Sequence, residues 1–162
     1  MSAVLSECRR YRYVLRRYWG DGLSGGRAAI FIGLNPSTAD EASDDPTIRR
    51  CIGFAKAWGF DELVMLNLFA FRATDPRVML AEADPVGPEN DHYLRDIVAC
   101  TPGIVVAAWG AFGRHLGRGE QVRRLLPALN ALKINADGSP GHPLYLPKRL
   151  KPQPWPYSGR PG

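Results

Sequence analysis

The chain has 162 residues, 45% of them hydrophobic and 23% charged, which suits one globular domain long enough to bury a core. Its 21 Lys and Arg exceed its 16 Asp and Glu, for a formal charge of +5; most of the positive side is Arg, which favours phosphate or nucleic-acid partners without requiring them. No apolar run reaches membrane-spanning length, residues 1–17 hold no apolar block before a cleavage site, and Cys8, Cys51 and Cys100 are too few and too scattered for a disulfide framework, a zinc site or an iron–sulfur cluster.

The expectation is therefore a cytoplasmic protein with reduced cysteines, no cofactor, no metal site and no membrane contact. Its first patterned stretch is residues 11–19. There Tyr11, Tyr13, Leu15 and Trp19 share a face at a period of two, with Arg12 and Arg16 on the other. This reads as an edge strand, although a helix also fits. Gly20, Asp21, Gly22, Gly25 and Gly26 mark a turn, so the next strand would return beside the first as an antiparallel hairpin. That next strand, residues 28–33, is the run Ala28-Ala29-Ile30-Phe31-Ile32-Gly33. It breaks at once into Leu34-Asn35-Pro36-Ser37-Thr38-Ala39-Asp40, a polar loop at the end of a buried strand.

Asp45 and Pro46 form a cap and first residue for a helix whose apolar positions are Ile48, Cys51, Ile52, Ala55 and Trp58, closed by Gly59. Residues 63–68 are a second buried strand, followed by the loop Phe69-Ala70-Phe71-Arg72-Ala73-Thr74-Asp75-Pro76. A helix opens near Pro88 with Leu94, Ile97 and Val98 inward and ends at Pro102-Gly103. Residues 104–109 form a third buried strand, ending in Gly110-Ala111-Phe112-Gly113. A helix over 120–129 and a short strand over 132–135 follow, then Gly138-Ser139-Pro140-Gly141 and His142. From Pro147 the chain is basic and proline-rich, which predicts an extended or disordered tail over 148–162 behind a single domain of residues 1–147.

Strands alternating with helices predict an α/β protein: a three-layer α/β/α sandwich with a mostly parallel central sheet. Four polar or aromatic loops, at 33–40, 67–76, 109–113 and 138–145, each follow a strand. In a parallel sheet they gather on one edge, where ligands of such folds bind. The helix beginning at Pro46 starts at that edge and offers free backbone N–H groups to an anion.

These loops carry a resemblance. The runs Gly-Leu-Asn-Pro-Ser-Thr-Ala-Asp from Gly33, Asp-Asp-Pro-Thr-Ile-Arg-Arg-Cys from Asp44, Asn-Leu-Phe-Ala-Phe-Arg-Ala-Thr-Asp-Pro from Asn67, Gly-Pro-Glu-Asn-Asp from Gly87, Ala-Trp-Gly from Ala108 and Gly-His-Pro-Leu-Tyr-Leu-Pro from Gly141 resemble a bacterial family carried as a domain of unknown function. More distantly the chain resembles the uracil-DNA glycosylase superfamily. Gly33-Leu34-Asn35-Pro36-Ser37 stands where members have Gly-x-Asp-Pro-Tyr or Gly-x-Asn-Pro-Gly. Asn67 opens the second strand's loop, an apolar strand ends at Gly110, and His142-Pro143-Leu144 stands where members have His-Pro-Ser. There are departures: the water-activating Asp of the most active members is Asn35, Ser37 replaces Gly, Leu144 replaces Ser, and the cluster cysteines are missing.

The resemblance implies a uracil-DNA glycosylase-like fold and a pocket for a nucleobase or nucleotide, with N-glycosidic cleavage of modified or mismatched DNA bases as the reaction. Such cleavage needs an extruded base, a positioned water and stabilisation of the leaving base. Asn35 can orient water, His142 can donate to a base carbonyl, and Asp45 can serve as the base that Asn35 cannot be. Phe69 or Phe71 can stack on a base and Arg72 can hold a phosphate. Gly33, Leu34, Ser37, Asp40, Asn67 and Gly110 complete the expected binding set. Plainer roles stand beside these: a turn at Asn35-Pro36, a helix cap at Asp44 and Asp45, core for Phe69 and Phe71, a structural ion pair for Arg72 and a turn at His142. Two other functions fit the same residues. One is a non-catalytic module that binds DNA or a nucleotide. The other is a metal-assisted enzyme on a free nucleotide or phosphorylated small molecule, with Asp44 and Asp45 on the metal.

Overall fold

A computed structural model describes residues 2–20 and 26–157. The turn expected at Asp21, Gly22 and Gly25, and the tail beyond residue 157, lie outside the described residues. The strands are β1 (Ser2–Leu5), β2 (Arg12–Tyr18), β3 (Ala28–Gly33), β4 (Glu62–Asn67), β5 (Gly103–Ala107), β6 (Asn130–Ala131) and β7 (Gln153–Pro154). The α-helices are α1 (Pro46–Ala57), α2 (Pro76–Leu80), α3 (Asn90–Cys100) and α4 (Arg118–Leu125), with 3-10 segments at Ala111–Gly117 and Pro143–Tyr145.

One sheet runs in the order β1-β2-β4-β3-β5-β6-β7. Its centre, β4-β3-β5-β6, is parallel, whereas β1–β2, β2–β4 and β6–β7 are antiparallel. The sheet is thus mixed rather than mostly parallel. β3 is buried at every position, as a strand apolar on both faces must be when helices cover both sides. Ile30, Ile32, Val64 and Leu66 pack with Leu94 of α3 and Val122 of α4. Ala29, Phe31, Leu63 and Met65 pack with Ile48, Cys51 and Phe54 of α1. These two cores lie on the sheet's opposite faces, because alternate residues of a strand point opposite ways.

The expected hairpin between the first two strands does not form. β2 pairs with β4 instead, with Leu15 opposite Met65, since β3 already has parallel partners on both sides. Nor is β2 an edge strand: β1, four residues too short to stand out in the sequence, covers it with Ala3 opposite Leu15. The predicted helix over 120–129 starts earlier and ends at Leu125. Leu126 precedes Pro127, and a residue before proline is pushed out of helical geometry; its φ and ψ are −130° and 78°. The expected strand at 132–135 is displaced to Asn130–Ala131, where it pairs with β5. The described part of the segment after Pro147 docks on the sheet: β7 pairs with β6, and the Trp155 N–H donates to the Leu129 carbonyl at 2.8 Å. Trp155 also lies 5.8 Å from the Trp109 ring and 3.7 Å from the Arg123 guanidinium. Among the described residues no helix is long and apolar enough to cross a membrane.

Candidate functional site

From β3 the chain passes through α1 to β4 on one side, and from β4 through α2 and α3 to β5 on the other. Connections that diverge from one strand leave a crevice at the strands' carboxyl ends. A cavity of about 600 Å³ opens there. Its lining includes Arg12 of β2, 33–37 at and after the end of β3, Asn67 at the end of β4, Ala73 and Thr74 in the loop beyond it, 108–112 after β5, Asp45, Thr47 and Ile48 at the start of α1, and Gly141, His142 and 144–146.

The loops are tied to one another by backbone geometry. The Asn35 Nδ2 donates to the carbonyls of Ala73 at 2.9 Å and Pro36 at 3.0 Å, and the Ala73 N–H donates to the Pro36 carbonyl at 2.9 Å. Asn35 thus does act as a turn residue, and its amide nitrogen is spent. Its Oδ1 is the atom left to face a ligand. The Gly110 N–H donates to the Pro140 carbonyl at 2.9 Å, which holds the loop after β5 against the segment leading to His142. Gly110 sits at φ +73° and ψ −169°, a conformation that favours glycine.

Asn67 is 1% exposed. Its side chain lies against Gly33, where a Cβ would come within 3.0 Å of the Asn67 Oδ1 and 2.7 Å of the Met65 Cε. Glycine at 33 is the space the amide occupies. The Asn67 Nδ2 is buried and has no acceptor among the described residues.

Asp45 caps α1: its Oδ1 accepts from the Ile48 N–H at 2.9 Å and its Oδ2 from the Ala39 N–H at 3.3 Å. Beside it lies Arg12, 2% exposed. The Arg12 Nη1 donates to the Ala39 carbonyl at 2.9 Å, and its Nε is buried without an acceptor among the described residues. Burial pulls the Arg12 pKa down to about 10 against the opposing attraction of Asp45, so the guanidinium stays charged at neutral pH.

The His142 Nδ1 accepts from the Leu144 N–H at 3.2 Å. Burial lowers the His142 pKa, with the Asp45 charge opposing. The ring is therefore neutral at pH 7, and an accepting Nδ1 places its one proton on Nε2. Arg50 of α1 fastens this segment by donating to the carbonyls of Pro143 and Leu146.

Of the expected residues, Gly33, Leu34, Asn35, Ser37, Asp45, Asn67, Gly110 and His142 line this one cavity. Others fall elsewhere. Asp40 caps its own loop, with its Oδ1 accepting from the Ala42 and Ser43 N–H groups at 2.9 Å, and these bonds lower its pKa. Asp44 accepts from the Arg17 Nε at 2.7 Å. The carboxylates proposed for a metal thus serve separate partners. Phe69 is buried core, 5.7 Å from the His115 ring. Phe71 is buried against Tyr11 at 5.9 Å; neither phenyl ring reaches the cavity, because the loop after β4 turns its aromatics inward. Arg72 donates to the Arg9 carbonyl at 3.2 Å. It lines a neighbouring groove of about 330 Å³ with Arg9, Arg10, Thr38 and Phe71, which shares Ser37, Ala73 and Thr74 with the main cavity.

The structure adds Arg12, Trp109, Phe112 and Tyr145 to the lining. Phe112 and Tyr145 are exposed at 45% and 82%; their only sequence signal is a large aromatic beside glycine or proline in a loop. Arg12 gives less warning still, since its alternation with Tyr11 and Tyr13 reads as a solvent-facing position.

No curated protein and no solved structure matches the chain. A family model described as "Protein of unknown function (DUF1643)" matches residues 12–144. That span runs from the first residue of β2, Arg12, through the loop that carries His142, and the chain belongs to this family of unknown function.

Proposed function

We propose that the cavity takes a nucleobase, presented by a nucleotide or a nucleic-acid strand. The observation that carries this reading is the convergence of Asn35, Asn67 and His142, three short polar side chains from three distant segments, in one crevice beside exposed aromatics. Such a set can read the edge of a flat heterocycle and stack on its face. The likeness to the uracil-DNA glycosylase superfamily supports the same reading, because Gly33-Leu34-Asn35-Pro36-Ser37, Asn67, Gly110 and His142 all line this cavity. The groove with Arg9, Arg10 and Arg72 suits the phosphate next to such a base.

The reaction that fits is hydrolysis of an N-glycosidic bond in a modified or mismatched DNA nucleotide. A water held by the Asn35 Oδ1 adds its oxygen to the anomeric carbon and gives its proton to the Asp45 carboxylate. The bond from carbon to base nitrogen breaks, and the base leaves as an anion that the His142 Nε2–H stabilises by a hydrogen bond. One observation favours a second, non-catalytic reading: both Asp45 oxygens already accept backbone N–H groups.

Duplex and single-stranded oligonucleotides carrying uracil, hypoxanthine, or thymine opposite guanine separate the two. Alkali-labile abasic product, lost in Asn35→Ala and His142→Ala, establishes the hydrolase. Salt-sensitive binding without product, weakened by Arg72→Ala, establishes the binding module. Stabilisation by a nucleotide with magnesium but not by DNA would replace both with the metal-assisted enzyme.

A further inference from the structure

The nucleobase reading leaves open which base. Two buried groups of the cavity bear on it, Arg12 and Asn67, at 2% and 1% exposure. The Arg12 Nε and the Asn67 Nδ2 are both donors, and both lack an acceptor among the described residues. Among the described residues the Arg12 guanidinium donates through Nη1, to the Ala39 carbonyl. That leaves the Nε and Nη2 side of its guanidinium, the planar fork that grips two adjacent acceptors at once. An unmet buried donor costs free energy, and a ligand that brings the acceptor recovers it.

The charge of Arg12 is opposed first by Asp45, with Arg72 and Arg17 acting the other way and Asp40 adding to Asp45. A phosphate or carboxylate entering here would meet the Asp45 carboxylate, another wall of the cavity. The Asp45 carboxylate in that wall favours neutral acceptors over anionic ones. We infer that the base the pocket takes is a 6-oxopurine, as in guanine or hypoxanthine, with its O6 and N7 on the Arg12 fork and a further acceptor lone pair on the Asn67 Nδ2. Side-by-side O6 and N7 are what an arginine fork reads in guanine. Adenine puts its N6 amino donor where O6 would be. Uracil and thymine set an N3–H donor between their two carbonyls. Cytosine has N3 beside O2, but these are its only two acceptor atoms, against the O6, N7 and N3 of the 6-oxopurine.

This rests on the nucleobase reading, and the test separates them. The full chain is titrated calorimetrically with inosine, 2′-deoxyguanosine, adenosine, cytidine and uridine. Inosine and deoxyguanosine are expected to bind about tenfold or more tightly than the other three. Arg12→Lys, which keeps the charge and loses the fork, is expected to abolish that preference, and Asn67→Leu to weaken the oxopurines. Preference for uridine, cytidine or adenosine overturns the 6-oxopurine assignment and leaves the nucleobase reading standing. Binding of none of the five, together with no binding of oligonucleotides, overturns both. The wild-type panel decides the matter even if a variant fails to fold.

Discussion

Arg118 and Arg12 are buried almost equally, at 1% and 2% exposure, yet the protein treats them oppositely. Behind the loop after β4, Arg118 is saturated: its Nε donates to the Leu68 carbonyl at 2.8 Å, its Nη1 to the Gln121 Oε1 at 2.7 Å and its Nη2 to the Asp91 Oδ1 at 2.6 Å. Next to it the Asn90 Nδ2 donates to the carbonyls of Asn67 and Leu68, both at 3.0 Å, while its Oδ1 is buried without a donor among the described residues. In front of the same loop, Arg12 and the Asn67 amide line the cavity with donors unmet. The first region fixes where the strand ends. The second forgoes hydrogen bonds that would stabilise it, which is how binding sites commonly depart from the rest of a fold.

Substitutions break this comparison in order of size. Arg118→Met takes one of two donors from the Leu68 carbonyl, which keeps the Asn90 Nδ2, and removes the partners of Gln121 and Asp91, so it should cost about 3 kcal/mol in urea unfolding. Arg12→Met gives up one hydrogen bond and an ion that is costly to bury, and should cost only about 1 kcal/mol while abolishing ligand binding. If the two losses are equal, Arg12 is as structural as Arg118 and the contrast fails. Asn67→Leu removes a buried donor that has no acceptor among the described residues, and should leave stability level or raise it by about 0.5 kcal/mol. A loss of about 2 kcal/mol there would show that the amide has a structural partner.

The parts of this arrangement that the sequence disclosed are those set by local chemistry. The Asp45 cap and Pro46 start of α1 follow from two adjacent residues, and the burial of β3 follows from a run with no polar face. The gathering of Asn35, Gly110 and His142 was legible because each loop follows a strand and the central strands are parallel. What stayed hidden depends on partners far away in the chain. The pairing of β2 with β4 is decided by β3 being occupied on both sides, and the docking of the tail by Trp155 meeting Trp109 and Arg123. Arg12 reads as a surface charge, and Arg118 draws no reading at all, because nothing in their neighbourhoods says that a distant carbonyl waits for them. Phe69 and Phe71 misled for the same reason: an aromatic in a loop looks free until the loop's inward face is known.

The smallest expected effect concerns His142, and it tests whether the cavity's other wall is also held in an unsaturated state. The folded-state pKa of His142 lies below its ordinary value of 6.5 because burial disfavours the imidazolium. Above that ordinary value the ring is neutral whether folded or unfolded, and it contributes no pH dependence. As the pH falls below it, the unfolded chain binds the proton first, so stability declines until the pH passes the lowered folded pKa and then levels off. Protonation also turns Nδ1 from an acceptor into a donor facing the Leu144 N–H, which loosens the turn that Arg50 fastens. Thermal midpoints taken from pH 8 to pH 5 should therefore fall further for the wild type than for His142→Gln, which cannot titrate. Parallel curves would mean that the ring is free to protonate in the folded protein, and that this wall of the cavity, unlike the Arg12 and Asn67 wall, is open to water.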